Sequence, residues 1–124
     1  MPSSEPIATI LVVEDDTLIR MHGVDMLEEN GFDVIEAADA EEALAILYEH
    51  GSVHLLFSDI DMPGDMDGLE LARQVNQRWP QVKLLLTSGH HQLEEGVLPD
   101  DGQFLSKPWR QDVLIEQIRG LLAV

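Results

Sequence analysis

The feature that most constrains the fold is a fivefold alternation between short apolar runs and longer amphipathic stretches. Nearly continuous apolar runs are typical of strands that are buried on both faces of a parallel sheet. Alternating strands and helices predict right-handed βα units, and so a single α/β domain with helices on both faces of a five-stranded parallel sheet. The predicted strands are residues 7–13, 32–37, 53–58, 82–86 and 104–106.

The intervening stretches carry the apolar spacing and the terminal signals of helices. Asp39 with Glu42 three residues later predicts a capping box, and Gly31, Gly51 and Pro80 predict helix ends. The predicted helices are residues 17–30, 40–50, 69–79 and 110–123. Helical spacing places the apolar stripe of the first of these at Leu18, Met21, Val24 and Leu27.

Charge and composition limit the classes of partner. The chain has 24 acidic side chains against 7 lysines and arginines, for a formal net charge of −17, which disfavours nucleic acid and favours divalent cations or basic protein surfaces. The absence of cysteine excludes disulfides and thiol chemistry. No apolar run is long enough for a membrane span or a signal peptide, so a cytoplasmic protein is expected, with residues 1–6 as a flexible tail and 7–124 as one domain.

Chemically reactive side chains follow four of the predicted strands. Glu14 and Asp15 follow the first strand, Asp59 the third, Thr87 the fourth and Lys107 the fifth. In open α/β sheets the ligand site lies beyond the carboxyl ends of the strands. We therefore expect three acids, one hydroxyl and one lysine to converge at this edge.

This combination of groups suits phosphoryl chemistry with a metal ion. Clustered carboxylates repel one another unless a cation joins them, and Mg²⁺ prefers oxygen ligands. A metal, a lysine and a hydroxyl donor together stabilise the charge of a phosphoryl group. A carboxylate can itself be the nucleophile, and Asp59 is the natural candidate because the Pro63-Gly64 turn leaves its outer side open.

These residues resemble the receiver domain of two-component response regulators. The resemblance covers almost the whole chain, with its motifs in the family's order and at nearly its spacing. It implies a flavodoxin-like sheet order of 2-1-3-4-5. The motifs are residues 10–16 (ILVVEDD), 59–63 (DIDMP) with 66–68 (MDG), 86–89 (LTSG) and 104–109 (FLSKPW).

The resemblance implies a role for each acid of the site. Asp59 is expected to be the phosphoacceptor and also a metal ligand. Asp15 is expected to bind Mg²⁺ directly and Glu14 to bind it through a water. Asp61 stands where the family uses a backbone carbonyl for the metal, and its side chain is expected close to the incoming phosphoryl group.

The resemblance also implies a switch and partners. Thr87 and Lys107 are expected to contact phosphoryl oxygens, and Phe104 matches the aromatic residue that turns inward when the threonine moves. The donor would be a sensor histidine kinase or a phosphotransfer protein. Because no output domain follows the last helix, the output is expected to be a contact with a downstream protein or an onward phosphorelay step.

Two departures from the family pattern stand out. The loop after Pro63 carries one extra residue, which is expected to lengthen the turn without moving Asp59. Residues 90–101 are poor in helix formers, so the helix between the fourth and fifth strands, the family's fourth, is expected to be short or irregular and the output face remodelled.

Three other functions fit parts of the pattern less well. Asp59 and Asp61 resemble the Asp-x-Asp motif of haloacid-dehalogenase-like phosphatases, but those need it on the first strand. A Toprim domain places its acids more similarly, but it acts on nucleic acids and gives no role to Thr87 and Lys107. A degenerate receiver that only docks is disfavoured because every key position is filled.

Overall fold

The protein, seen in a computed structural model that describes residues 7–89, 98–99 and 102–123, is built on a five-stranded parallel sheet. The strand order is β2-β1-β3-β4-β5, as the resemblance implied, and all four pairings are parallel. Each strand end lies within two residues of its predicted position. The strands are β1 (Thr9–Val13), β2 (Asp33–Ala37), β3 (Leu55–Asp59), β4 (Lys83–Ser88) and β5 (Gln103–Ser106).

The described residues form four helices, and three of them begin at an aspartate cap. Asp16, Asp39 and Asp67 each accept a hydrogen bond from a backbone N–H of the first turn, because those N–H groups have no partner within the helix. Gly51 ends the second helix at φ 53°, a left-handed conformation that favours glycine. The helices are α1 (Thr17–Glu29), α2 (Ala40–His50), α3 (Gly68–Arg78) and α4 (Gln111–Leu122).

Two apolar clusters, one on each face of the sheet, hold the helices in place. Leu27 of α1 and Leu114 of α4 pack with Phe57 in the first cluster. Leu47 of α2 and Leu71 of α3 pack in the second. The helices therefore cover both faces, as predicted, and the carboxyl edge of the sheet stays open between them.

The predicted apolar stripe of α1 is wrong in its first half. Leu18 is 77% exposed and Met21 is 53% exposed. The helix buries Gly23, Val24, Met26 and Leu27 instead. Because α1 has apolar residues on more than one side, spacing alone does not select the buried face, and packing against the sheet does.

Two predictions fall largely on parts of the chain that lie outside the described residues. They are the flexible tail at residues 1–6 and the short or irregular helix at residues 90–101, of which only Leu98 and Pro99 are described. Within the described parts of the chain, no helix has the length and apolar character needed to cross a bilayer.

Candidate functional site

The carboxyl edge of the sheet brings together the five residues predicted to meet there. Asp59 is the last residue of β3 and lies in register with Thr87 on β4. Glu14 and Asp15 directly follow β1, and Lys107 directly follows β5. The parallel pairings align these strand ends, which explains how residues so distant in sequence share one site.

The three acids form a compact carboxylate cluster. One carboxylate oxygen from each of Glu14, Asp15 and Asp59 lies within 4.8 Å of the other two. Glu14 is 2% exposed and Asp59 is 3% exposed, whereas Asp15 is exposed to solvent. Two carboxylates are thus removed from bulk water, and the third lies where water or an ion can reach it.

Lys107 supplies the positive charge of the site. Its Nζ lies 2.8 Å from Oε2 of Glu14 and 3.3 Å from Oδ2 of Asp59. Burial on its own opposes the charged form of lysine, but the hydrogen bond with Glu14 and the charge of Asp59 outweigh it and raise the pKa of Lys107. The lysine is therefore a fixed cation at neutral pH.

The negative charge of Glu14 is disfavoured by its surroundings. Burial raises the pKa of Glu14, and the nearby charge of Asp59 raises it further, although the hydrogen bond from Lys107 acts in the opposite direction. A net upward shift means that one lysine does not fully compensate the buried carboxylates. An additional cation would restore the balance.

The donor set fits a magnesium ion. Three carboxylates against one ammonium leave an excess of negative charge, and their oxygens are close enough to share one ion. Exposure of Asp15 leaves room for the waters that Mg²⁺ retains. The residues that would hold the ion are Asp15 and Asp59, with Glu14 beside them.

Asp61 borders the site on the side of the β3–α3 loop. Its backbone N–H donates to Oδ1 of Asp59 at 3.2 Å, and its own carboxylate accepts from the hydroxyl of Ser88 at 2.6 Å. The first contact orients the Asp59 carboxylate. A role for the Asp61 backbone carbonyl as a metal ligand stays a prediction.

Thr87 has a partner that sequence reasoning missed. The indole Nε1 of Trp109 donates to Oγ1 of Thr87 at 2.8 Å. The ring of Trp109 is buried against Phe57, with ring centroids 4.9 Å apart. A tryptophan two residues after Lys107 was the only sequence signal, and it does not reveal the hydrogen bond.

Phe104 lies beside β4 but on the other face of the sheet from Thr87. It is paired in register with Leu86, whereas Thr87 is paired with Leu105. Its ring is partly buried against the second apolar cluster. Its predicted switching role stays a prediction.

Two further residues position the acids. The sequence did not point to Arg20, and it placed Gly68 in the 66–68 motif without indicating a role. Nη1 of Arg20, on α1, donates to the backbone carbonyl of Glu14 at 2.7 Å, and Nε contacts Glu36 at 3.1 Å. Gly68, the first residue of α3, approaches β3 so closely that a Cβ there would lie 2.0 Å from the carbonyl oxygen of Asp59. Both contacts fix the backbone on which the carboxylates are mounted.

Similarity to known proteins agrees with this geometry. The family model described as the response regulator receiver domain matches residues 10–119. The chain belongs to this family. It is therefore a receiver domain of two-component signalling, with the sheet order that the resemblance implied.

Two relatives contain a similar domain in proteins of very different length. The sensor kinase CckA of Brucella abortus is 38% identical over 121 residues, which are 93% of this chain but only 12% of that protein. The response regulator receiver protein CpdR of the same species is 34% identical over 91% of this chain and 95% of its own length. The chain thus matches both a small part of a kinase and nearly all of a short regulator.

A solved structure carries the same fold. The response regulator TrrA of Thermotoga maritima, determined in complex with Mg²⁺ and BeF, has a TM-score of 0.81 and 29% identity over 94% of this chain and 100% of its own.

Proposed function

We propose that this receiver domain accepts a phosphoryl group on Asp59 with the help of Mg²⁺. The observation that carries the proposal is the position of the Asp59 carboxylate. It lies within 4.8 Å of a carboxylate oxygen of both Glu14 and Asp15 and 3.3 Å from the Lys107 ammonium. A buried carboxylate between a metal-binding pair of acids and a fixed cation is suited to act as a nucleophile toward a phosphorus atom.

Each group has a distinct task in this proposal. When bound at Asp15 and Asp59, Mg²⁺ supplies Lewis-acid stabilisation of phosphoryl oxygens. Lys107 neutralises a second phosphoryl oxygen from the side of β5. The Asp61 N–H holds one Asp59 oxygen at 3.2 Å, so the carboxylate keeps a defined orientation.

The transfer itself balances without any oxidant or reductant. An oxygen of Asp59 forms a bond to phosphorus while the P–N bond of a phosphohistidine breaks, and the departing imidazole nitrogen keeps the electron pair and gains a proton from solvent. Hydrolysis later returns the carboxylate and inorganic phosphate. We assign the protein a signalling role in which it assists its own phosphorylation and dephosphorylation.

The surface beside Lys107 suits the phosphohistidine donor. A groove of about 540 Å³ is lined mainly by apolar side chains of α1 and the β5–α4 loop and borders Lys107. Leu18, 77% exposed, lies at its rim. We propose that a histidine kinase or phosphotransfer protein places its histidine in this groove. The proposed output is a contact with a downstream protein. The proposed location is the cytoplasm.

Intact-mass spectrometry tests the proposal. Incubation with Mg²⁺ and acetyl phosphate, or with a phosphorylated histidine kinase, should add the mass of one phosphoryl group. Chelation of Mg²⁺ or the substitution Asp59→Asn should prevent the addition, and the matched control Asp65→Asn, in the exposed loop after Pro63, should not. The proposal would be overturned if neither donor modified the wild-type protein. It would also be overturned if Asp59→Asn were modified to the same extent as the wild type.

A further inference from the structure

The hydrogen bond between Trp109 and Thr87 joins two buried polar groups. The donor nitrogen lies 2.8 Å from the acceptor oxygen, and the residues are 8% and 1% exposed. A buried N–H that loses its partner without a substitute is costly, because water does not replace it. The position of the Thr87 hydroxyl is therefore coupled to that of the indole ring.

Trp109 also contacts the elements that surround the site. Its ring packs on Phe57 of β3, and a Cβ added to Gly23 of α1 would lie 3.0 Å from its Cζ3. The Nζ of Lys107 lies 6.0 Å from its ring centroid. One face of the residue also lines the apolar groove between α1 and Pro108. A movement of the ring would thus alter the α1 side of the molecule.

Phosphorylation would offer the Thr87 hydroxyl a second partner, because the hydroxyl accepts from the indole and would donate its own proton to a phosphoryl oxygen. Thr87 is in register with Asp59, so a phosphoryl group on Asp59 would bring strong acceptor oxygens beside it. In the structure the hydroxyl is engaged by Trp109, whereas Glu14 and Asp59 share Lys107. The two bonds use different functions of the hydroxyl, so the bond from the indole is lost only if the hydroxyl moves toward Asp59 to reach the phosphoryl oxygen.

We propose that Trp109 is a positioning residue that holds Thr87 in its unphosphorylated position, and that phosphorylation transfers the Thr87 hydroxyl from the indole to the phosphoryl group and changes the groove on α1. This inference rests on the proposed function. It adds a route from Thr87 to the face of α1 and α4, separate from Phe104, whose ring packs on the face of α2 and α3.

Tryptophan fluorescence gives a direct test, because the protein has two tryptophans and they lie on opposite faces of the sheet. Trp79 stacks edge-on with Tyr48, away from the site, so Trp79→Phe leaves Trp109 as the only reporter. With Mg²⁺ and beryllofluoride, a phosphoryl analogue, the Trp109 emission should shift. In the same background Thr87→Val should abolish the shift.

A second variant tests the direction of the coupling. Trp109→Phe removes the N–H, and the lost hydrogen bond belongs to the unphosphorylated state alone. Beryllofluoride should therefore bind about fivefold more tightly by calorimetry, the equivalent of one ordinary hydrogen bond. Trp79→Phe is the matched control and should bind as the wild type does.

The outcomes distinguish failure of the positioning role of Trp109 from failure of the proposed function. If ¹⁹F NMR shows bound beryllofluoride while the Trp109 emission is unchanged, the positioning role is overturned and the proposed function stands. Unchanged or weaker binding by a folded Trp109→Phe also overturns it. If neither beryllofluoride nor a phosphodonor reacts with the wild type, both proposals fail. Should Trp109→Phe not fold, the emission of the Trp79→Phe protein decides alone.

Discussion

The ammonium nitrogen of Lys107 lies 2.8 Å from Oε2 of Glu14, although 93 residues separate the two in sequence. The pair connects the end of β1 with the end of β5, on either side of Asp59. It also gives the metal-free site a cation of its own. A Mg²⁺ ion bound here would therefore share Glu14 with Lys107. In the proposed function the lysine would be both a competitor of the metal and a contact for the phosphoryl group.

Replacement of Lys107 should separate these two effects. We expect Lys107→Gln to bind Mg²⁺ about tenfold more tightly by calorimetry, because the competing cation is gone. The rate of phosphorylation by acetyl phosphate should fall about a hundredfold, because a phosphoryl oxygen loses its charged partner. Lys83→Gln, at the opposite end of β4, is the matched control for both measurements. Weaker Mg²⁺ binding by Lys107→Gln would contradict the competition.

The pH dependence of Mg²⁺ binding should follow Glu14. Because burial raises the pKa of Glu14, the folded metal-free protein takes up this proton at a higher pH than the unfolded chain does. The stability that Glu14 adds to the metal-free fold is therefore present at low pH and lost as pH rises through the raised pKa.

Binding of Mg²⁺ should change in the opposite direction. As pH falls from neutrality, the increase in melting temperature caused by Mg²⁺ should shrink, starting above the range in which a free glutamate titrates. Glu14→Gln should lose this early decline, whereas the control Glu41→Gln, on the exposed side of α2, should keep it. An identical decline in wild type and Glu14→Gln would show that another group is responsible.

Gly68 should be the least replaceable of the glycines that the structure describes. A methyl group there would lie 2.0 Å from the backbone oxygen of Asp59, so the backbone of α3 or of β3 would have to move to accommodate it. We expect Gly68→Ala to lower the free energy of unfolding by at least about 2 kcal/mol in urea titrations. The matched control is Gly120→Ala on α4, where nothing lies within 4 Å. It should be neutral or stabilise the helix by up to about 1 kcal/mol.

The sequence predicted the strands, and with them the meeting of the acids and Lys107 at one edge of the sheet, because strands have local patterns. Apolar runs mark buried strands, and the topology then dictates that Glu14, Asp59 and Lys107 meet. The order of the strands came from the family resemblance, because alternation alone does not select one order from several. The buried face of α1 was predicted wrongly, since Leu18 and Met21 fit the helical period and are nevertheless exposed.

Two contacts that support the site could not be predicted from the sequence, for a different reason. The bond from Trp109 to Thr87 spans 22 residues, and the approach of Gly68 to Asp59 depends on where α3 crosses β3. Gly68 and Trp109 both lie in motifs that match the family, but those motifs do not reveal the two contacts. Such contacts are set by three-dimensional packing, which a linear pattern does not encode.

Arg20 offers a final test of how the β1–α1 loop is held. Its side chain is 16% exposed and donates to the Glu14 carbonyl, which fixes the backbone that carries Asp15. Arg20→Met should weaken Mg²⁺ binding about tenfold, as removal of a group that orients metal ligands commonly does. Arg73→Met, which breaks only an exposed ion pair with Glu70, should have no effect on Mg²⁺ binding.

Loss of a nearby positive charge would by itself strengthen binding, so tighter binding by Arg20→Met would mean that charge outweighs positioning. Arg20→Lys, which keeps the charge but alters the geometry, should then distinguish the two effects.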